Sequence, residues 1–149
     1  SPSDEKATNP FLFQTVHEGN YHVLRGKPTS EVLFALQSHE IRRIAKNEEC
    51  VFVGRCADYV LREQDVRLLR VFVSAPEEYR IARKMEQETL TRDQAVRLIR
   101  KMDKQRRRYY ESYTGRVWGA ADNYDLCIDA ALTAPSDAAA LIAARFTSL

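Results

Sequence analysis

With 149 residues, 30% of them charged and 44% hydrophobic, the chain has the size and composition of one ordinary globular domain able to bury a core. Its net charge is only +2, no apolar run approaches the ~20 residues of a membrane-spanning helix, and the first residues lack the pattern of a secretory signal, so a cytoplasmic protein without a membrane span is expected. Cys50, Cys56 and Cys127 show no metal-ligand spacing and read as buried free thiols of a reducing compartment; His17, His22 and His39 form no ligand set, so no metal site is expected in the protein itself.

Residues 1–28 mix Pro10, Gly19, Gly26 and Pro28 with an aromatic patch at Phe11, Phe13 and Tyr21, and read as an insert or flap rather than core. Thr29 or Ser30 then caps a helix in which Val32, Leu33, Leu36, Ile41 and Ile44 recur at helical intervals up to about Lys46. Residues 50–54 are short, continuous and β-branched, the pattern of a buried strand that ends in glycine. A second helical stretch is predicted near residues 58–62 and a strand at 68–73. Ala75-Pro76-Glu77-Glu78 opens a helix with proline in the first turn and acids at the positive end of the dipole.

Thr91-Arg92-Asp93-Gln94 is a capping box for a long helix running to about Tyr113. Leu98, Met102 and Tyr109 are expected on its buried side, with Asp103, Arg106 and Tyr110 on another face. A third strand at 124–128 and an alanine-rich helix at 138–146 close the chain. Strand and helix alternate without internal repeats, which predicts an α/β fold with a parallel sheet flanked by helices.

The positive charge is concentrated. Seven of the twelve residues from 97 to 108 are basic, Asp103 is the only acid among them, and residues 80–116 hold twelve Lys/Arg against five Asp/Glu. A localised field of this kind attracts an anionic ligand. In Lys101-x-Asp103-x-x-Arg106 the acid stands three residues before an arginine, where it can orient the guanidinium and leave other donors for a phosphate oxygen. A solvated basic face is the plain alternative. Tyr109, Tyr110, Tyr113 and Trp118 would suit base stacking, yet they follow the basic run rather than interleave with it, so nucleic acid is the less expected partner.

Gly54-Arg55-Cys56-Ala57-Asp58 directly follows a predicted strand, the place where open parallel sheets hold ligands. Arg55 can grip an anion through two donors and Asp58 can accept from an amino or hydroxyl group; a turn with an Arg–Asp surface pair is the alternative. Asp125 and Asp129 flank the third strand and read as groups that order the adjoining loops.

In this order and spacing, the Gly54–Asp58 pentapeptide, the Lys-x-Asp-x-x-Arg helix with its tyrosines, Trp118-Gly119 and Asn123-Tyr124-Asp125-Leu126-Cys127-Ile128 resemble the cytidylate kinase-like family of P-loop nucleotide kinases, over about residues 4 to 142. The resemblance implies a three-layer parallel sheet flanked by helices in a single kinase-like domain. Its core would lie at 29–75 and 120–149, and an arginine-rich lid at 76–119 would close over ATP. It implies that Ser38, Arg42, Arg55 and Asp58 contact the acceptor nucleotide. Arg80, Arg83, Lys101 and Arg106 would be lid and phosphate residues, Arg80 on the ATP, with Asp103 positioning Arg106. ATP and Mg2+ are the implied cofactors, and a nucleoside monophosphate, CMP or dCMP by family name, the implied substrate; a homo-oligomer is compatible with all of this.

The family's N-terminal strand, Walker A loop and helix do not occur in these residues. There are five glycines and no Gly-x-x-x-x-Gly-Lys-Ser/Thr, and Gly26-Lys27-Pro28 lacks both the spacing and the hydroxyl. In the family's sheet that strand lies between those at 50–54 and 68–73, so a native polypeptide about fifty residues longer is expected, and kinase activity with it. A kinase-derived module that binds a partner or senses nucleotide without catalysis is the alternative, ahead of a basic nucleic-acid-binding domain.

Overall fold

The computed structural model describes residues 29–149. Helix α1 spans Thr29–Asn47 and a short α2 Ala57–Val60; then follow β1 (Val71–Ser74), α3 (Glu77–Glu88), α4 (Arg92–Thr114), a 3-10 turn (Ala121–Asn123), β2 (Leu126–Asp129) and α5 (Pro135–Thr147). The flap expected over residues 1–28 lies outside the described residues. The chain divides into two compact units, the first ending at Val66 and the second running from Arg67 to Leu149.

In the first unit α1 packs on α2, and Val32, Ile41, Ala57, Val60 and Leu61 are buried. Residues 50–53 form no ladder, with Val51 91% and Val53 69% exposed, so the buried strand predicted there does not form. β-branched residues hold a strand only where a neighbour takes up their N–H and C=O groups, and no described residue does so.

The second unit combines a parallel strand pair with a helical hairpin. β1 and β2 pair from Val71 opposite Leu126 to Ser74 opposite Asp129. Arg70 and Asp125 fix this register just ahead of the strands. The Arg70 Nε and Nη2 donate to the Asp125 carboxylate at 3.0 and 2.9 Å and the Arg70 backbone N–H at 2.8 Å, while the N–H groups of Asp125 and Leu126 donate to the Arg70 carbonyl at 2.8 and 3.1 Å. The guanidinium holds the Asp125 carboxyl below its usual range. Asp129 accepts from the Ala131 N–H at 2.8 Å and orders the turn after β2 as the sequence suggested, whereas Asp125 reaches Arg70 ahead of the neighbouring strand instead of ordering its own loop. Among the described residues the sheet is these two strands, an α/β arrangement with a small parallel sheet rather than the wider one predicted.

Thr91 caps α4 as predicted: its hydroxyl accepts from the Gln94 N–H at 3.2 Å and the Gln94 side chain accepts from the Thr91 N–H at 2.9 Å. The face of α4 that meets α3 is not the predicted one. Ala95 and Ile99 pack with Ile81, and Met85, Leu90 and Val96 surround them, whereas Leu98, Met102 and Tyr109 are only half-buried. A small residue at the crossing lets two helices approach closely, so the largest side chains do not mark the packed face. Tyr110 is buried as well.

Phe72 of β1 packs against Trp118 edge-on, 5.7 Å between ring centroids, and against Tyr124 at 4.9 Å. Gly119, at φ +78°, lies where a Cβ would come within 3.0 Å of the Phe72 ring. Trp118-Gly119 and Tyr124 therefore serve packing. Of the three thiols only Cys56 is buried; Cys50 and Cys127 are exposed, because the first sits in no strand and the second in a sheet too narrow to cover it.

Candidate functional site

The residues assigned to the acceptor fall in the first unit and those assigned to the lid in the second. Ser38 and Arg42 lie one turn apart on α1 and share a face. Ser38 is 3% exposed and its hydroxyl has no hydrogen-bond partner among the described residues. Helical serines commonly return a hydrogen bond to the carbonyl one turn back, and a buried hydroxyl left without any partner is uncommon and costly. Arg42 is half-buried and likewise has no ion pair or hydrogen bond among the described residues. A hydroxyl and a guanidinium so placed are complementary to an anionic oxygen.

One strained turn follows the extended stretch. Gly54, Arg55 and Cys56 have φ of +71°, +57° and +56°. The Ala57 N–H donates to the Gly54 carbonyl at 3.2 Å, closing a turn whose two central residues are arginine and cysteine. Turns with both central φ positive favour Gly, Asn or Asp, and each other residue held left-handed costs about 1–2 kcal/mol. Cys56 pins the turn: it is buried, and its carbonyl accepts from the Tyr59 and Val60 N–H groups at 3.0 and 2.8 Å to start α2. Burial, with Asp58 nearby, pushes its thiol up to about 12, so it stays protonated and acts by packing rather than as a nucleophile. The backbone that carries Arg55 and the half-buried Asp58 is thereby held in one conformation. The sequence offers a turn here but not its left-handed form, which neither Arg nor Cys favours.

Three ion pairs cross the hairpin of the second unit. Arg80 donates through Nη1 and Nη2 to both carboxylate oxygens of Asp103 at 2.8 and 2.6 Å, Arg92 pairs with Glu78 at 2.8 Å and Arg100 with Glu77 at 3.0 Å. Asp103 thus grips Arg80 of the neighbouring helix, not Arg106 of its own as expected. Position 103 follows Ala95 and Ile99 on the face that meets α3, where the fork of Arg80 can engage both oxygens.

Arg80 keeps its remaining donors. Arg106 is exposed and has no partner among the described residues, and Arg83 reaches only the Tyr79 hydroxyl at 3.5 Å. Lys101 stands about 140° around the helix from Arg106, at 3.6 residues per turn, so it does not join the same cluster. Arg80, Asp103 and Arg106 share one side of α4 and Lys101 takes the other.

No three His, Cys, Asp or Glu side chains gather among the described residues, so these supply no cage for a resident Mg2+. The described glycines serve the Arg55 turn, the end of α4 at Gly115 and the contact with Phe72, and none stands in a glycine-rich phosphate loop. Side-chain cations are what these residues offer to a nucleotide's phosphates. No described helix is long and apolar enough to cross a membrane.

The sequence model of the cytidylate kinase-like family matches residues 2–131. A crystal structure of an uncharacterised protein from Eubacterium ventriosum is similar at a TM-score of 0.73, covering 91% of this chain and 82% of that one with 25% identity. No curated protein matches in sequence. Because the family match runs from residue 2 through both units, across the Arg55 turn and the whole α3–α4 hairpin, the chain belongs to the cytidylate kinase-like family and is a kinase-related protein.

Proposed function

We propose that this protein transfers a phosphoryl group from ATP to a nucleoside monophosphate, CMP and dCMP being the first acceptors to try. Such transfer asks little covalent chemistry of a protein; it needs fixed positive charge around the moving group and exclusion of water. The observation that carries the reading is the Ser38–Arg42 pair. A buried hydroxyl and a half-buried guanidinium on one helix face, neither partnered among the described residues, suit the oxygens of a monophosphate.

Arg55 adds a second guanidinium from its strained turn, and Asp58 an acceptor suited to an amino group of the base. On the hairpin, Arg106, Arg83 and the remaining donors of Arg80 would hold the phosphates of ATP, with Asp103 as the residue that positions Arg80. When bound, ATP supplies the phosphoryl group and brings Mg2+ on its own oxygens and water.

Calorimetric titration of the native protein with CMP tests the acceptor half. Arg42→Ala is expected to weaken CMP binding about tenfold or more, the loss of a charge-assisted hydrogen bond of about 1.5–3 kcal/mol, and to leave ATP binding as it was. Undiminished CMP binding would remove the acceptor from α1.

A further inference from the structure

We infer that α4 carries a second, separate interface: a stripe of Arg97, Lys101, Lys104 and Arg108 that binds the sugar–phosphate backbone of a nucleic acid. The four residues fall at steps of four, three and four, so at 3.6 residues per turn they line one side of the helix for about 16 Å. All four are exposed, and none makes a hydrogen bond or ion pair among the described residues. Five other bases of this unit are used differently: Arg70, Arg80, Arg92 and Arg100 each meet a carboxylate, and Lys84 pairs with Glu88, while Arg106 and Arg107 lie off the stripe on another side of α4. On this face of α4 the acids stand only at the two ends of the stripe. Asp93 is one turn before Arg97, and the Glu111 carboxylate accepts from the Trp118 N–H at 3.3 Å.

The stripe lies away from Ala95, Ile99 and Asp103, so neither the hairpin packing nor the Arg80–Asp103 pair uses it. Like charges three and four residues apart destabilise a helix by a few tenths of a kcal/mol each, and a face needed only for solubility mixes its signs. A line of cations repeated over three turns is relieved by a line of anions repeated alongside. The phosphates of one nucleotide cover only part of that length, whereas a polynucleotide strand runs its whole extent.

A membrane surface fits less well, because an interfacial helix needs an open apolar face beside its basic one and here that face is closed by α3. Lys and Arg alone on the stripe make the contact electrostatic and independent of base sequence. This interface does not depend on the phosphoryl-transfer reading.

The test is fluorescence anisotropy of a labelled single strand of about 20 nucleotides, as DNA and as RNA, with the full chain. Four neutralised phosphates predict a slope of about −3 in log affinity against log salt, so that raising KCl from about 50 to about 200 mM weakens binding about fifty-fold. Arg97→Gln, Lys101→Gln, Lys104→Gln and Arg108→Gln together should abolish binding while the urea midpoint holds or rises, since repulsion along the helix is removed. Arg43→Gln, Lys46→Gln, Arg62→Gln and Lys84→Gln remove as much charge elsewhere and should leave binding intact. No binding at the lower salt, binding insensitive to salt, or equal loss in that second set would overturn the interface.

Discussion

Arg106→Ala is expected to slow the proposed phosphoryl transfer about 10²–10³-fold while the urea midpoint barely moves. The guanidinium is exposed and meets no carboxylate among the described residues, so little folding energy is lost with it. Its neighbour across the face, Arg80, is already engaged by Asp103, which leaves Arg106 the freest cation on that side of α4 to follow charge developing on a transferred phosphoryl group. Removing one such preorganised donor typically costs two to three powers of ten in kcat. Steady-state kinetics with ADP detection, set beside urea unfolding, checks both halves. Full activity in the variant would take α4 out of the site.

The second expected result separates backbone strain from side-chain function at the Gly54–Cys56 turn. Arg55→Ala and Arg55→Gly both remove the guanidinium, so both should raise the acceptor KM by about 10- to 100-fold, the worth of a charge-assisted contact of about 1.5–3 kcal/mol, with little effect on the KM for ATP. Their stabilities should differ in the sense opposite to the usual one. Elsewhere alanine is the more stable because glycine has more unfolded-state entropy, but at φ +57° only alanine bears the left-handed penalty, so the glycine variant should be more stable by about 1 kcal/mol. Equal stabilities would mean the turn relaxes when Arg55 is lost. An equal rise in both KM values would undo the acceptor role.

Local chemistry was legible where short-range rules decide it. The capping box at Thr91, the proline and acids that open α3, and the ordering role of Asp129 all follow from residues within a few positions of one another, and the structure has each of them. What the sequence concealed depends on partners distant along the chain. A β-branched run at 50–54 reads as a strand, but a strand exists only with a neighbour, and no described residue pairs with it. Sequence spacing pairs Asp103 with Arg106 because both lie on one helix; its actual partner, Arg80, comes from α3, which packs through Ile81 on Ala95 and Ile99. The left-handed Arg55 and Cys56 are held by burial and capping around them, which override the preferences of both residues.

The family makes the protein kinase-related, and the acceptor site proposed above rests on four side chains of the first unit: Ser38, Arg42, Arg55 and Asp58. Their common feature is donors and acceptors held on defined backbone, Ser38 and Arg42 by one face of α1 and Arg55 and Asp58 by the strained turn. Pre-set groups of this kind bind a small anionic ligand without first paying to order themselves.

The proposed function is tested most directly by transfer from ATP and Mg2+ to a panel of nucleoside monophosphates by the native protein, with ADP and the nucleoside diphosphate both quantified. Equal amounts of the two products are expected, with CMP and dCMP consumed fastest and neither product formed in the absence of acceptor beyond slow ATP hydrolysis. CMP bound but never phosphorylated, with no other monophosphate converted, would contradict that function and make this a family member that holds nucleotides without acting on them.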